Sequence, residues 1–367
     1  MSQSVISDML AAFPAPAVLI DTSERILAAN ADARTLLGHH IEGRHFATIL
    51  RQPAVIDAIE ATLRAHTQRT ARHLANDGAQ DTTFEVTCRF VGAVGASRGG
   101  LGRGGMKLDG VGKSGAVMVT FQDVTQVQQA GQMRRDFVAN VSHELRTPLT
   151  ALMGFIETLR GAAREDPAAR DRFLGIMEKE AGRMNRLVGD LLSLSRVEGD
   201  ERVRPSATLD LCAHLSSTLK SITPLAESSD VALVLTLPDS RVEVQGDGDQ
   251  LHQVFSNLIE NAIKYGGSGG RVDVTLTASD HDPALRGPGA RIQVSDKGPG
   301  IDPLHLPRLT ERFYRADNHR SRELGGTGLG LAIVKHIINR HRGRLRVQSD
   351  LGQGATFTVV LPITPVE

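Results

Sequence analysis

Between Gln126 and Gly199 apolar residues recur at intervals of three and four, with one interval of seven in each of two blocks, and no other feature restricts the fold as tightly. Val138, Val141, Leu145, Leu152, Ile156 and Leu159 make the first seam. After the polar break "GAAREDPAAR", Phe173, Met177, Met184, Leu187, Leu191 and Leu194 make the second. Such spacing puts one apolar stripe on each of two helices, which a short connection folds into an antiparallel hairpin. A lone hairpin leaves part of its stripe in water, so two copies are expected to pair as a four-helix bundle, making the assembly a homodimer.

The hairpin divides the chain. With 367 residues the protein exceeds one ordinary core, and the reading is a multidomain α+β chain with boundaries at 1–125, 126–200 and 207–367. In the first segment "PAVLID" and "ILAAN" read as strands around the turn "TSER", and "ADARTLLG" reads as a helix. "TFEVTCRFV" and "AVMVTFQDV" are longer strands, separated by a Gly-rich, basic insertion near 92–115. The "GVGKS" within it suggests a phosphate loop, but Lys107 stands where that motif needs its first glycine, which favours a solvated loop. In the last segment "VALVLTLP", "RVDVTLTAS", "RIQVSD", "RLRVQS" and "TFTVVLP" are strand-like, while "DQLHQVFSNLIENAIKYG" and "GLGLAIVKHIINRHRG" have helical spacing and end at glycine. A sheet covered by helices on one face follows.

Composition excludes more than it assigns. Lys plus Arg equal Asp plus Glu at 42 each, so net charge points to no direct nucleic-acid partner. Cys88 and Cys212 are far apart and lack metal-ligand spacing, which fits a reducing compartment without structural zinc. No stretch has the length of a membrane helix and the N-terminus lacks a signal-type block. The expectation is a cytoplasmic chain that meets a membrane only through partners.

Chemistry concentrates in three places. Asn257 and Asn261 lie four apart on one helix face with Lys264 three further on; alone, that stripe is equally a solvated face. "VSDKGPGID" sets Asp296, Gly298 and Gly300 directly after a strand, and "GGTGLGL" sets alternating glycines before a helix, where backbone amides and the helix dipole favour phosphate. "NVSHELRTPLT" puts His143 one turn before Pro148, whose missing N–H and crowding ring predict a kink beside the histidine. That kink either couples signal to His143 or merely suits bundle packing.

Together, "SHELRTPL", "NLIENAIKYG", "DKGPG", "ERFYRAD" and "GGTGLGL" resemble the H, N, G1, F and G2 boxes of bacterial two-component sensor histidine kinases, from about Gln126 to the end. The wording is most similar to the phosphate-regulon sensor kinases, and the first segment resembles a PAS sensor domain. The resemblance implies a PAS-like α/β sensor, a helical-hairpin dimerisation domain, and an α/β-sandwich ATP-binding domain of the GHKL or Bergerat type. It implies ATP-dependent autophosphorylation of His143, transfer to a receiver-domain aspartate of a PhoB-like response regulator, and phosphatase action on that regulator. Glu144 would take the ring proton, and Thr147 would help place a water for dephosphorylation. Asp296 would bind the adenine amine, Asn261 would ligate Mg²⁺ beside Asn257, and Lys264 and Arg315 would meet phosphate oxygens. Tyr265 would pack near the nucleotide, Gly298 and Gly300 would shape the adenine loop, and Gly326, Thr327, Gly328, Leu329 and Gly330 would form a lid. Arg320 and Arg322 either add charge there or are solvated. Relatives usually carry a membrane anchor before the sensor; this chain begins almost at the PAS-like segment, so a cytosolic signal or partner is expected.

The other histidines read as surface or structural residues, and no transition-metal site is predicted. His39 and His40 leave haem ligation open against plain exposure. Two other classes compete: an ATPase of the same nucleotide fold without a histidine intermediate, opposed by the intact "SHELRTP", and a non-catalytic dimeric scaffold, opposed by the complete set of nucleotide-site residues.

Overall fold

The computed structural model describes residues 3–76, 81–92, 115–161, 163–316 and 326–363. The "GVGKS" stretch, most of the Gly-rich insertion, Arg320 and Arg322 lie outside them. The chain forms two compact units, Met1–Asp136 and Phe137–Glu367.

The first unit follows the order α1 (Gln3–Ala11), β1 (Ala17–Asp21), β2 (Ile26–Ala29), α2 (Ala31–Leu37), α3 (Phe46–Ile49), α4 (Pro53–Ala65), β3 (Arg69–Asn76), β4 (Asp81–Val91) and β5 (Ala116–Asp123). Its sheet has the order β2-β1-β5-β4-β3, every pair antiparallel. Period-two alternation decides which residues go where. Val18 and Ile20 of β1 join Val117, Val119 and Phe121 of β5 in one core with Phe46, Val55 and Ile59, whereas Ala17, Leu19 and Ala116 face Leu10 on the other side. Buried Asn30 caps α2 through Ala33 N–H at 2.9 Å, and it also takes Ala17 N–H and donates to Ala15, which satisfies its amide. Cys88 is buried in the core, and desolvation pushes its thiol up to about 12, so it is an inert apolar filler. His39 and His40 are exposed.

The second unit begins within the long helix α5 (Thr125–Arg160), which starts two residues after β5 and runs unbroken through buried Pro148. The turn at Ala163 to Glu165 leads into α6 (Pro167–Asp200), capped by the Asp166 carboxylate on Ala169 N–H at 3.0 Å. There follow β6 (Thr208–Asp210), α7 (Leu211–Ser228), β7 (Ala232–Thr236), β8 (Glu243–Gln245), α8 (Gly248–Gly266), β9 (Arg271–Asp282), β10 (Gly287–Asp296), α9 (Gly330–Arg340), β11 (Arg344–Ser349) and β12 (Ala355–Pro362). The five-stranded sheet runs β11-β12-β10-β9-β7, antiparallel except for β7 beside β9. Leu251, Phe255, Leu258, Ile259 and Ala262 of α8 fall at helical spacing and pack with Val272, Val274, Ile292, Val294 and Val359. Leu187, Leu194 and Val197 of α6 enter the same core, each burial contributing roughly 1.5–3 kcal/mol. The hairpin therefore rests on the sheet-and-helix layer in this structure.

Helix α7 has no counterpart in the sequence reading. Its apolar positions Leu211, Leu215, Leu219, Ile222 and Ala226 are buried at threes and fours, but serines, threonines and Pro224 mask that pattern.

Candidate active site

Packing of the apolar face of α8 on β9 and β10 fixes what its other face can do. Asn257, Glu260, Asn261 and Lys264 open into a cavity of about 740 Å³. Register carries Asp296 to the end of β10, opposite Val272, beside the last turn of α8. Tyr265, Gly300, Arg315, Gly326, Thr327, Gly328 and Gly330 complete the part of the wall that the sequence anticipates. Gly298 and Leu329 lie outside the wall. Gly298 is behind Asp296, where a Cβ would come within 2.5 Å of Gly266 Cα, so only glycine permits the contact. Leu329 is fully buried at the start of α9.

Asp296 Oδ1 accepts from Gly298 N–H at 2.9 Å and Ala355 N–H at 3.3 Å. Burial raises its carboxyl above the usual range and the two amides oppose this. Among the described residues no hydrogen bond reaches its second oxygen. Gly328 holds φ at +72°, and a Cβ there would meet the Phe313 backbone at 2.9 Å, so glycine is what lets the loop turn into α9 against that backbone.

Several wall residues escape sequence reasoning. Glu260 binds Lys264 at 2.7 Å, the i to i+4 spacing of one helix face. Asp190, Arg186 and Gly189 come from α6, and Asp190 Oδ2 accepts from Thr327 Oγ1 at 2.6 Å. Desolvation raises the Asp190 carboxyl, Thr327 pulls it down, and nearby Glu260 raises it again. Glu260 was visible beside Asn261 in "IENAIK"; nothing in local sequence marks Asp190.

His143, Glu144 and Thr147 are not in this wall. His143 is exposed on α5, and among the described residues no hydrogen bond engages its ring. Thr147 Oγ1 donates to the His143 carbonyl at 3.1 Å. Glu144 does not meet the His143 ring: its Oε2 takes Arg183 at 2.6 Å and Arg315 at 3.4 Å. The chain neighbour of the histidine is thus a counterion for the arginine expected at phosphate, because adjacent helical residues face apart. Arg315 also donates to the Gly326 carbonyl.

A phosphoacceptor-type hairpin joined to a cavity of this construction defines a class. The family described as "His Kinase A (phospho-acceptor) domain" matches residues 133–200, and that of "Histidine kinase-, DNA gyrase B-, and HSP90-like ATPase" matches residues 246–365. The chain belongs to the sensor histidine kinases. It is similar to the phosphate regulon sensor protein PhoR of Pseudomonas aeruginosa, with 42% identity over 241 residues, covering 66% of this chain and 53% of that protein. Sensor histidine kinase WalK of Bacillus subtilis is 37% identical over 251 residues, covering 68% of this chain and 40% of that protein. The chain therefore spans about half the length, or less, of these relatives. The solved Acinetobacter baumannii histidine kinase AdeS is 26% identical with a TM-score of 0.46, covering 61% of this chain and 98% of that one. No described helix is long and apolar enough to cross a membrane.

Proposed function

We propose that the chain autophosphorylates His143 from ATP and passes the phosphoryl group to a receiver-domain aspartate of a response regulator, with Thr147 serving the reverse, dephosphorylating reaction. The observation that carries this reading is the joining of an exposed histidine to the nucleotide-type cavity through Glu144 and Arg315. Asp296 Oδ2 accepts the adenine amine, while Tyr265 packs beside the base, Gly300 shapes its pocket, and the amides of Gly326 to Gly330 with Lys264 and Arg315 take phosphate oxygens. Asn257, Glu260 and Asn261 present oxygen donors on one helix face at the cavity, a set that suits a hard divalent cation. Bound there, Mg²⁺ would neutralise triphosphate charge, with Asn261 its first protein ligand.

A neutral imidazole keeps a lone pair on one ring nitrogen and a proton on the other. Its nitrogen bonds to the γ-phosphorus as the bond to the bridging β,γ-oxygen breaks, and ADP leaves. Glu144 takes the ring proton once its contacts with Arg183 and Arg315 open. Positioning and charge neutralisation suffice for such a transfer.

The sheet order β2-β1-β5-β4-β3 supports a PAS-type sensor in the first unit. Exposed Val138, Leu149, Met153, Ile156, Leu174, Val188 and Leu192 on the hairpin support a homodimer of the four-helix type. Higher identity to the phosphate regulon relative than to the WalK relative supports a phosphate-regulon type kinase with a PhoB-like regulator.

The test is incubation with Mg²⁺ and γ-labelled ATP. Wild type acquires acid-labile, alkali-stable label that His143→Gln lacks, and the label moves to a PhoB-like receiver faster than to WalK-type partners. Label persisting in His143→Gln would refute the site; equal transfer to all receivers would refute the subtype.

A further inference from the structure

Thr327 stands in the glycine-rich loop between the cavity and α9, and its hydroxyl carries a single proton. That proton goes to Asp190 Oδ2 of α6 at 2.6 Å. Thr327 Oγ1 also accepts from Leu329 N–H at 3.3 Å, so one side chain organises the loop it belongs to. Asp190 itself lines the cavity, together with Glu260. A triphosphate entering there meets a hydroxyl already committed and a carboxylate of its own sign.

We propose that Asp190 is a positioning residue that latches the Gly326–Gly330 loop onto α6, and that the nucleotide's phosphates compete with it for the Thr327 hydroxyl. This rests on the reading of the cavity as an ATP site. The competition has a consequence for the whole unit. Asp190 belongs to the helical hairpin that carries His143, whereas Thr327 belongs to the nucleotide wall; taking the hydroxyl releases one tie between them. Glu144 with Arg315 forms a second tie, but a guanidinium has five N–H groups and can serve a carboxylate and a phosphate at once. Of these two ties, the one made by the Thr327 proton is exclusive.

The experiment measures the dissociation constant of the full chain for the non-hydrolysable imidotriphosphate of adenosine with Mg²⁺, in a double-mutant cycle of Asp190→Ala and Thr327→Val. A hydrogen bond to a carboxylate is lost in the competition, so Asp190→Ala should tighten binding about tenfold where Thr327 is present and by less than about twofold where Val replaces it. Unchanged or weaker binding in Asp190→Ala overturns the latch. So does equal tightening in both backgrounds, which would make Asp190 a repelling charge and nothing more. Should Asp190→Ala misfold by circular dichroism, Asp190→Asn takes its place in the same cycle, with a smaller tightening confined to the Thr327 background. Wild type that fails to bind the analogue would refute the ATP site itself, a result distinct from any failure of the latch.

Discussion

Glu144, the residue after the proposed phosphoacceptor, lies 3.4 Å from Arg315 of the nucleotide wall although 171 positions separate them. Arg183 holds the same carboxylate oxygen at 2.6 Å. Both arginines are largely shielded from water, so removing the carboxylate takes one charged partner from each. Glu144→Gln should lower stability by about 1–3 kcal/mol, read as a fall in the denaturant midpoint with an unchanged slope. An unaltered midpoint would mean that the clamp contributes nothing.

Asp296 separates binding from stability. Burial raises its carboxyl pKa, so folding favours the protonated form. Its contribution is fully present below the unfolded carboxyl pKa and is lost as pH rises through the raised folded value. At neutral pH the ionised group therefore weakens the fold, and Asp296→Asn should melt higher than wild type while binding adenosine nucleotides tenfold to a hundredfold less tightly, on the order of one hydrogen bond to a charged group. Calorimetry with and without nucleotide checks both halves.

Gly298→Ala tests the close packing behind that carboxylate. The new methyl would stand 2.5 Å from Gly266 Cα and 3.0 Å from Asp296 Oδ1. Overpacking of this kind costs typically about 1–3 kcal/mol, and because it displaces Asp296, nucleotide affinity should fall together with the melting temperature. Loss of stability without loss of affinity would show that the adenine loop absorbs the shift.

His341 sets a pH dependence unrelated to chemistry. It is buried, its Nε2 accepts from Asp247 N–H at 3.0 Å and its Nδ1 lies 2.7 Å from the Ile337 carbonyl, which assigns the neutral Nδ1–H form. Desolvation lowers its pKa, with the carbonyl opposing. The stability it contributes is present above the ordinary histidine pKa of about 6.5 and is lost as pH falls toward the lowered folded value. Melting temperature should drop between pH 7.5 and pH 5.5, and His341→Gln should flatten that drop.

Much of this protein was legible in its residues alone. The seams of Val138 to Leu159 and Phe173 to Leu194 dictated the hairpin, alternation dictated β1 and β5, and the order of Asn261, Asp296 and the Gly326–Gly330 loop marked the wall of the cavity, because local periodicity and backbone freedom act over a few residues. Helix α7 was equally local, yet Pro224 and its hydroxyl residues hid it. What only tertiary structure decided are the contacts across the chain: Asp190 on Thr327, 137 positions apart, and Glu144 on Arg315 in place of the neighbouring histidine. Such pairs arise when Leu187, Leu194 and Val197 bury their apolar surface against the core and bring polar neighbours along. Hydrophobic burial is non-directional, so which charged groups it sets face to face is written in the packing of whole helices and not in any short stretch.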